Sequence, residues 1–276
     1  MASARWAGGY LTMSGAVLLV TGHQTLVALH VALLCLLVWG GTSKLTLAGV
    51  IWTFAPLLIV IGLAYGEVPT LVSAFAIPFH DQSIQQLEAA LFGTQPAQTF
   101  AGMAPNVLLS ELLHAGYMSF YLAISIPPVI LYVRQRRAAF DQTMLALIVI
   151  WVVCCALFVA FPVQGPRFLW ASPPEIPNGP FRWLSRTILA AGSARGTAFP
   201  SLHMAASVSQ TIMAWRWQRT ALKYGMTAST ALVATGAVYA GYHYATDIIA
   251  GGILGAVTTA IVIAVQGRRR VSPASA

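Results

Sequence analysis

Residues Gly241–Gly252 read GYHYATDIIAGG and residues Ala198–Ser207 read AFPSLHMAAS. Each stretch opens an apolar segment long enough to cross a membrane, and each carries one histidine at its mouth. Asp247 stands four places after His243 and is the single acidic residue between Ile176 and Ala276. On a helix, positions i and i+4 share a face, so this carboxylate sits beside the imidazole, fixes its tautomer and raises its basicity. A carboxylate near apolar spans costs about 2.5–3.5 kcal/mol on insertion scales, which marks it as functional by default. His203 follows a Pro-Ser pair at a helix start, where free backbone N–H groups and the helix dipole favour an anion. Two imidazoles, one carboxylate and an anion-ready helix mouth point to phosphate chemistry.

Composition sets the surroundings of these stretches. The chain has 276 residues, of which 58% are hydrophobic and 8% charged. Soluble domains carry about 25% charged residues, so this is an integral membrane protein. The expected fold is all-α, a single polytopic transmembrane bundle of about six to eight spans with a short interfacial amphipathic helix. The formal charge of +8 does not indicate nucleic acid. Nine of the fifteen basic residues fall in three short connectors, Arg134–Arg137, Arg216–Lys223 and Arg268–Arg270, the positive-inside pattern of membrane proteins. Cys35, Cys154 and Cys155 lie within apolar runs and offer neither a disulfide framework nor zinc spacing. Arg5 precedes an apolar stretch without a small-residue cleavage site, so no cleavable leader is expected.

From the N-terminus, Gly8–Val20 and Thr25–Trp39 are apolar, interrupted at Thr21–Gln24. One long tilted helix and a hairpin of two both satisfy this pattern. His30, flanked by aliphatics, reads as a packing or interhelical hydrogen-bonding residue. After Lys44 a span covers about Leu47–Tyr65, followed by a connector, Gly66–Glu111. Within that connector Asp81–Phe92 has apolar residues at Ile84, Leu87, Ala90 and Leu91, helical spacing with Asp at the cap. It reads as an interfacial helix lying as a lid on the bundle, on the same face as the two motifs. Glu111 and His114 stand at i,i+3, but a di-metal bundle needs two such copies and further glutamates. Capping or interfacial placement is the expectation. Pro127-Pro128 predicts a kink in the span Leu112–Val133.

A further span, Thr143–Phe161, leads into Gln164–Phe168, QGPRF. The connector Pro162–Thr197 then holds Arg167, Arg182, Arg186 and Arg195, against the positive-inside rule. Arginine's planar fork suits bidentate phosphate binding, and Arg167 and Arg195 are the candidates. Spans at about Phe199–Trp215, Tyr224–Tyr242 and Tyr244–Val265 complete the bundle. Three parts are expected: residues 1–142, N-terminal helices with the connector and interfacial helix; 143–267, a catalytic helical core; and 268–276, a cytoplasmic tail. The basic connectors fall on one side and the motifs on the other. The reactive face therefore looks into the periplasm or its extracytoplasmic equivalent, from a cell inner (plasma) membrane, with the C-terminus in the cytoplasm.

Two chemistries fit the residues. In one, His243 attacks phosphorus with Asp247 orienting its ring, and His203 protonates the leaving alkoxide. Arg167, Ser201 and backbone N–H groups hold the remaining oxygens, and no metal or other cofactor is needed. In the other, His203, His243 and Asp247 ligate zinc in a membrane hydrolase. The i+4 spacing suits an orienting carboxylate and favours the first. A non-catalytic phospholipid transporter is a third reading, but it calls for polar residues at the midplane, whereas these cluster near one interface.

The same residues resemble a known family. FPSLH is similar to the P-S-x-H signature of the type 2 phosphatidic acid phosphatase superfamily, and GYHYATD to its later H-x-x-x-D signature. The Leu of FPSLH and the HYxxDxxAG pattern look most like the inositol phosphorylceramide synthase branch. Of the first family motif, K-x6-R-P, Arg167 matches the arginine, while Ala160 and Phe168 stand at the lysine and proline positions. Gly236, Ala237 and Val238 occupy the region where the phosphatases carry another arginine. The resemblance covers roughly Thr143–Val265. It implies a metal-independent lipid phosphatase or phosphotransferase working through a phosphohistidine. His243, His203 and Asp247 would be catalytic, Arg167 and Ser201 phosphate-binding. The implied partners are a lipid phosphate or phospholipid substrate in the membrane and water or an alcohol as acceptor.

Overall fold

The computed structural model describes residues 2–40, 46–170 and 178–271. Lys44 and residues 272–276 of the expected tail lie outside the described residues. The first half contains α1 (Ala2–Val20), α2 (Gln24–Gly40), α3 (Thr46–Ile59), α4 (Tyr65–Ala74), α5 (Asp81–Phe92), α6 (Pro96–Met103), α7 (Val107–Met118) and α8 (Phe120–Val133). The second contains α9 (Arg137–Ala160), α10 (Pro166–Leu169), α11 (Pro180–Gly192), α12 (Leu202–Trp217), α13 (Thr220–Tyr239) and α14 (Ala245–Val271). Among the described residues the only β pairing is a single parallel bridge between Val163 and Thr197.

A helix that is apolar on every side belongs in the interior, and α9 is that helix. It packs against α1, α3, α4, α8, α12 and α14. Its Leu147, Ile148, Ile150, Cys154 and Phe158 are fully buried. Cys154 and Cys155 are thus packing residues, while Cys35 is exposed. The N-terminal region resolves as a hairpin: α1 and α2 pair across a turn in which Gly22 takes φ +83, a left-handed conformation that glycine tolerates. His30 makes the interhelical contacts expected of it. Its Nε2 lies 2.9 Å from Ser14 Oγ and 3.1 Å from Glu67 Oε2, and its Nδ1 2.7 Å from the Leu26 carbonyl.

Glu67 was expected in a connector and is instead inside a helix. The Gly66-Glu67-Val68-Pro69 run suggests an end, but a π turn over Val60–Ala64 joins α3 to α4 and the helix continues to Ala74. Insertion of a π turn shifts the hydrogen-bond ladder locally without ending the helix. The connector therefore begins at Phe75, not Gly66. Among the described residues, Thr53–Ala74, Arg137–Ala160 and Ala245–Gly267 are the three helices long and apolar enough to span a membrane. A fourth crossing arises if α7 and α8, bent by 41° at Ser119, count as one. That bend lies upstream of the expected kink, and α8 runs through Pro127 and Pro128. Ser119 Oγ donates to the Gly116 carbonyl and pairs with Ser229 Oγ on α13 at 2.6 Å, and a side chain inserted in the ladder bends a helix as proline does.

Helices α12 and α14 pack closely along their length. A Cβ at Gly251 would collide with the Ser201 carbonyl oxygen, and one at Gly255 with that of Ala205. Small residues four apart let two membrane helices approach backbone to backbone. Because Ser201 precedes α12 and Asp247 sits in the first turn of α14, this seam brings the two motifs together. α5, α6, α10 and α11 cover the end of the bundle that bears them. At the opposite end, Arg136 Nη1 donates to the Trp217 carbonyl and Arg216 Nε to Gln142, so the connectors at Arg134–Arg137 and Arg216–Lys223 lie together.

Candidate active site

The site is assembled from helix ends, and three backbone ties align them. The His80 N–H donates to the Pro162 carbonyl (2.9 Å), and the Ala198 N–H to the Val163 carbonyl (3.0 Å). This holds the strand-like exit of α9 beside the FPSLH segment. Gly165 then turns the chain at φ +92, where a Cβ would come within 2.9 Å of the Ala198 Cβ, so only glycine fits. Pro166 opens α10, its fixed φ suited to a first helical position, and Arg167 follows. The third tie runs from the Ser201 N–H to the Asp247 carbonyl at 2.9 Å.

Asp247 is completely buried. Its Oδ2 accepts the Tyr244 N–H (2.9 Å) and lies 3.3 Å from His243 Nδ1. The i,i+4 pair expected from sequence therefore forms across the start of α14. His243 Nε2 makes no hydrogen bond among the described residues and faces a cavity shared with His203, Arg167, Tyr65, Tyr117 and Tyr242. The two imidazole rings stand edge to face with centroids 5.6 Å apart. His203 Nε2 pairs with Tyr117 Oη at 3.2 Å, and its ring lies 4.4 Å from Phe120. The cavity holds about 30 Å³, room for a water, and Phe168 also lines it.

Phe168 lies under two cations, Arg167 at 4.8 Å and Arg195 at 5.4 Å from its ring centroid. Such stacking pre-orients a guanidinium without using its hydrogen-bond donors. Arg167 spends one donor on the Leu189 carbonyl at 3.3 Å. Burial pulls its pKa down, with the neighbouring Tyr117, Tyr242 and Tyr65 hydroxyls acting the other way.

Of the residues picked out by sequence, His203, His243 and Arg167 line one cavity and Asp247 stands directly behind His243. Ser201 is elsewhere: its Oγ accepts the Met204 N–H at 3.3 Å as the N-cap of α12, and it does not line the cavity. Arg195 is exposed and reaches the site through Phe168. Among the described residues no three His, Cys, Asp or Glu side chains are placed to share a metal ion. Glu111 caps a helix, though not its own: its oxygens accept the Phe181 and Arg182 N–H groups of α11 at 2.7 and 3.1 Å. Sequence reading did not find Tyr65, Tyr117 or Tyr242. Tyr242 had a signal in its adjacency to His243. Tyr65 and Tyr117 had none, since their directions depend on the π turn and on the bend at Ser119.

The stretch that supplies these helix ends is similar to a known family. A family model described as the PAP2 superfamily matches residues 82–261. The match covers well over half of the chain, which belongs to the PAP2 superfamily. Membership places it with phosphatase-type phosphoric ester hydrolases and fits an integral membrane protein. No curated protein and no solved structure matches the chain. The matched segment takes in α5 from its second residue, Gln82, upstream of the stretch that carries the sequence resemblance.

Proposed function

We propose that this protein is a metal-independent lipid phosphatase or phosphotransferase that works through a phosphohistidine. The observation that carries the reading is the state of His243: Asp247 holds Nδ1, and Nε2 faces a cavity containing both His203 and Arg167. An imidazole oriented on one nitrogen and open on the other is a positioned nucleophile. Nε2 attacks phosphorus, the P–O bond to the leaving group breaks, and His203 gives its proton to the departing oxygen. The phosphorus stays on Nε2, and Asp247 balances the positive charge of the ring. Water or an alcohol then gives its proton to His203 and its oxygen to phosphorus, and the P–N bond breaks. Arg167 stabilises the non-bridging oxygens, where negative charge gathers.

Arg167 is the only cationic side chain lining the cavity among the described residues. One cation matches the single negative charge of a phosphodiester better than the double charge of a monoester, so we place the substrate among phosphodiester lipids. Transfer to an alcohol, as in the inositol phosphorylceramide synthase branch, belongs to the same reading. So does the setting, a plasma-membrane bundle of six to eight crossings in which α1, α2, α12 and α13 accompany the long spans. The reactive end faces the extracytoplasmic side and the basic end the cytoplasm.

The test is turnover by purified protein in detergent with EDTA present. Phosphatidic acid and several phosphodiester lipids are offered with and without alcohols, and mass spectrometry follows lipid and headgroup. A new diester formed only with alcohol identifies a transferase, and headgroup phosphate released in water a phosphatase. Activity that appears only when zinc is restored overturns the metal-free mechanism. Faster turnover of phosphatidic acid than of every diester overturns the diester assignment. His203→Ala should be most harmful with poor leaving groups; equal loss on an activated aryl ester contradicts its role as acid.

A further inference from the structure

Helix α5 turns its charged side inward. Asp81, Ile84 and Glu88 are buried, whereas Leu87, Leu91 and Phe92 are 45%, 60% and 42% exposed. Asp81, Gln85 and Glu88 are spaced i, i+4, i+7 and occupy one face. Buried carboxylates are expensive unless hydrogen-bonded, and these spend their acceptors on the two turns that carry the active site. Asp81 Oδ2 accepts the Gln164 N–H and Oδ1 the Gly165 N–H, each at 2.9 Å. Glu88 Oε1 accepts the Thr246 N–H at 3.0 Å. Between them Gln85 Nε2 donates to Tyr244 Oη (3.0 Å), which in turn donates to Asp81 Oδ1 (3.3 Å). None of these α5 side chains lines the cavity.

The recipients are backbone N–H groups at the entrances of the two helices that bear the site. Gln164 and Gly165 lead into α10, a four-residue helix bearing Arg167. Thr246 is in the first turn of α14, where helix geometry leaves N–H groups without partners, and it separates Tyr244 from Asp247. We propose that Asp81 and Glu88 are positioning residues, and that α5 is a strut setting the separation between Arg167 and the His243–Asp247 pair. The proposal rests on the roles given above to Arg167 and His243. Catalysis by oriented groups is sensitive to this separation, since a misplacement of about 1 Å costs on the order of 100-fold in rate.

The two carboxylates differ in a way that makes the proposal testable. Asp81 uses both oxygens on two N–H donors, whereas Glu88 uses one. A side-chain amide has a single acceptor oxygen. Glu88→Gln therefore keeps its bond to Thr246, while Asp81→Asn loses one bond and sets an NH₂ group against a backbone N–H. Full-length variants are assayed in detergent with bis(p-nitrophenyl) phosphate as diester probe and phosphatidic acid as monoester probe.

Glu88→Ala and Asp81→Asn should each lose about 10–100-fold in kcat, the worth of a charge-assisted hydrogen bond, with KM little changed. Glu88→Gln should stay within about threefold of wild type, since its bond persists. Asp81→Asn should combine with Arg167→Ala less than additively, and Glu88→Ala with Arg167→Ala additively, because only Asp81 acts through the Arg167 turn. A generally weakened fold would erase that difference. If Glu88→Ala does not fold, the contrast between Glu88→Gln and Asp81→Asn carries the test. Equal kcat in those two variants, or wild-type kcat in Asp81→Asn, overturns the proposal while an inactive His243→Ala leaves the functional reading standing. An active His243→Ala overturns the functional reading instead.

Discussion

Among the described residues, two buried histidine–carboxylate pairs differ in their wiring. In the N-terminal half, His30 and Glu67 face each other across helices at 3.1 Å. Ser14 and the Leu26 carbonyl engage the ring nitrogens of His30, and the Tyr10 hydroxyl donates to Glu67. Both ring nitrogens are occupied. In the C-terminal half, His243 and Asp247 sit one helical turn apart at 3.3 Å, and His243 keeps Nε2 open beside Arg167 and His203. The same functional groups thus serve two ends. A fully engaged imidazole joins helices, and a half-engaged one beside a cation and a cavity is available for chemistry.

Replacing each histidine tests this contrast most severely. His243→Ala should lose at least about 10³-fold in turnover, the scale of removing a nucleophile. His30→Ala should keep kcat but unfold at lower temperature, because it removes one of buried Glu67's two partners and leaves Tyr10 alone, a loss of about 1–3 kcal/mol. Reversed outcomes in turnover and thermal unfolding would erase the distinction. The carboxylates come next. Asp247→Asn should cost about 10²–10⁴-fold through loss of ring orientation, whereas Glu67→Gln should leave the reaction rate intact. Tyr117→Phe should be milder, about 2–10-fold in kcat, since it removes one neutral hydrogen bond from His203. A larger effect would make Tyr117 a proton carrier rather than a support.

The smallest effect concerns Glu88 and pH. Burial holds its carboxyl above the ordinary 4.5, against the pull of the Thr246 and Ala245 N–H groups. The folded chain therefore binds this proton more tightly than the unfolded one, and stability falls as pH rises from 4.5 through the folded-state value. Glu88→Gln should flatten that portion of the thermal-unfolding profile, and an unchanged profile would show that Glu88 does not titrate in this range.

Sequence reading reached the site where geometry is local. His243 and Asp247 meet because one helical turn separates them, His203 was legible from the Pro-Ser pair ahead of it, and Arg167 from a connector whose arginines run against the positive-inside rule and from the family motif it matches. It failed where partners are remote. Glu88 and Thr246 are 158 positions apart, and no periodicity links them. The helical spacing in Asp81–Phe92 correctly gave α5, but not which side faces the protein. At a membrane surface, Leu87 and Leu91 turn outward and the acids turn in, the reverse of a soluble helix. α11 was missed for a related reason: its buried residues are Arg182, Ser185 and Leu189, and only Leu189 reads as a core position.

Gly251 and Gly255 bring the question of mechanics into the site. Their approach to the Ser201 and Ala205 carbonyls leaves no room for a side chain between α12 and α14. A methyl group at either glycine would act as a wedge at the base of the site, pushing the helix that bears His203 away from the one that bears Asp247.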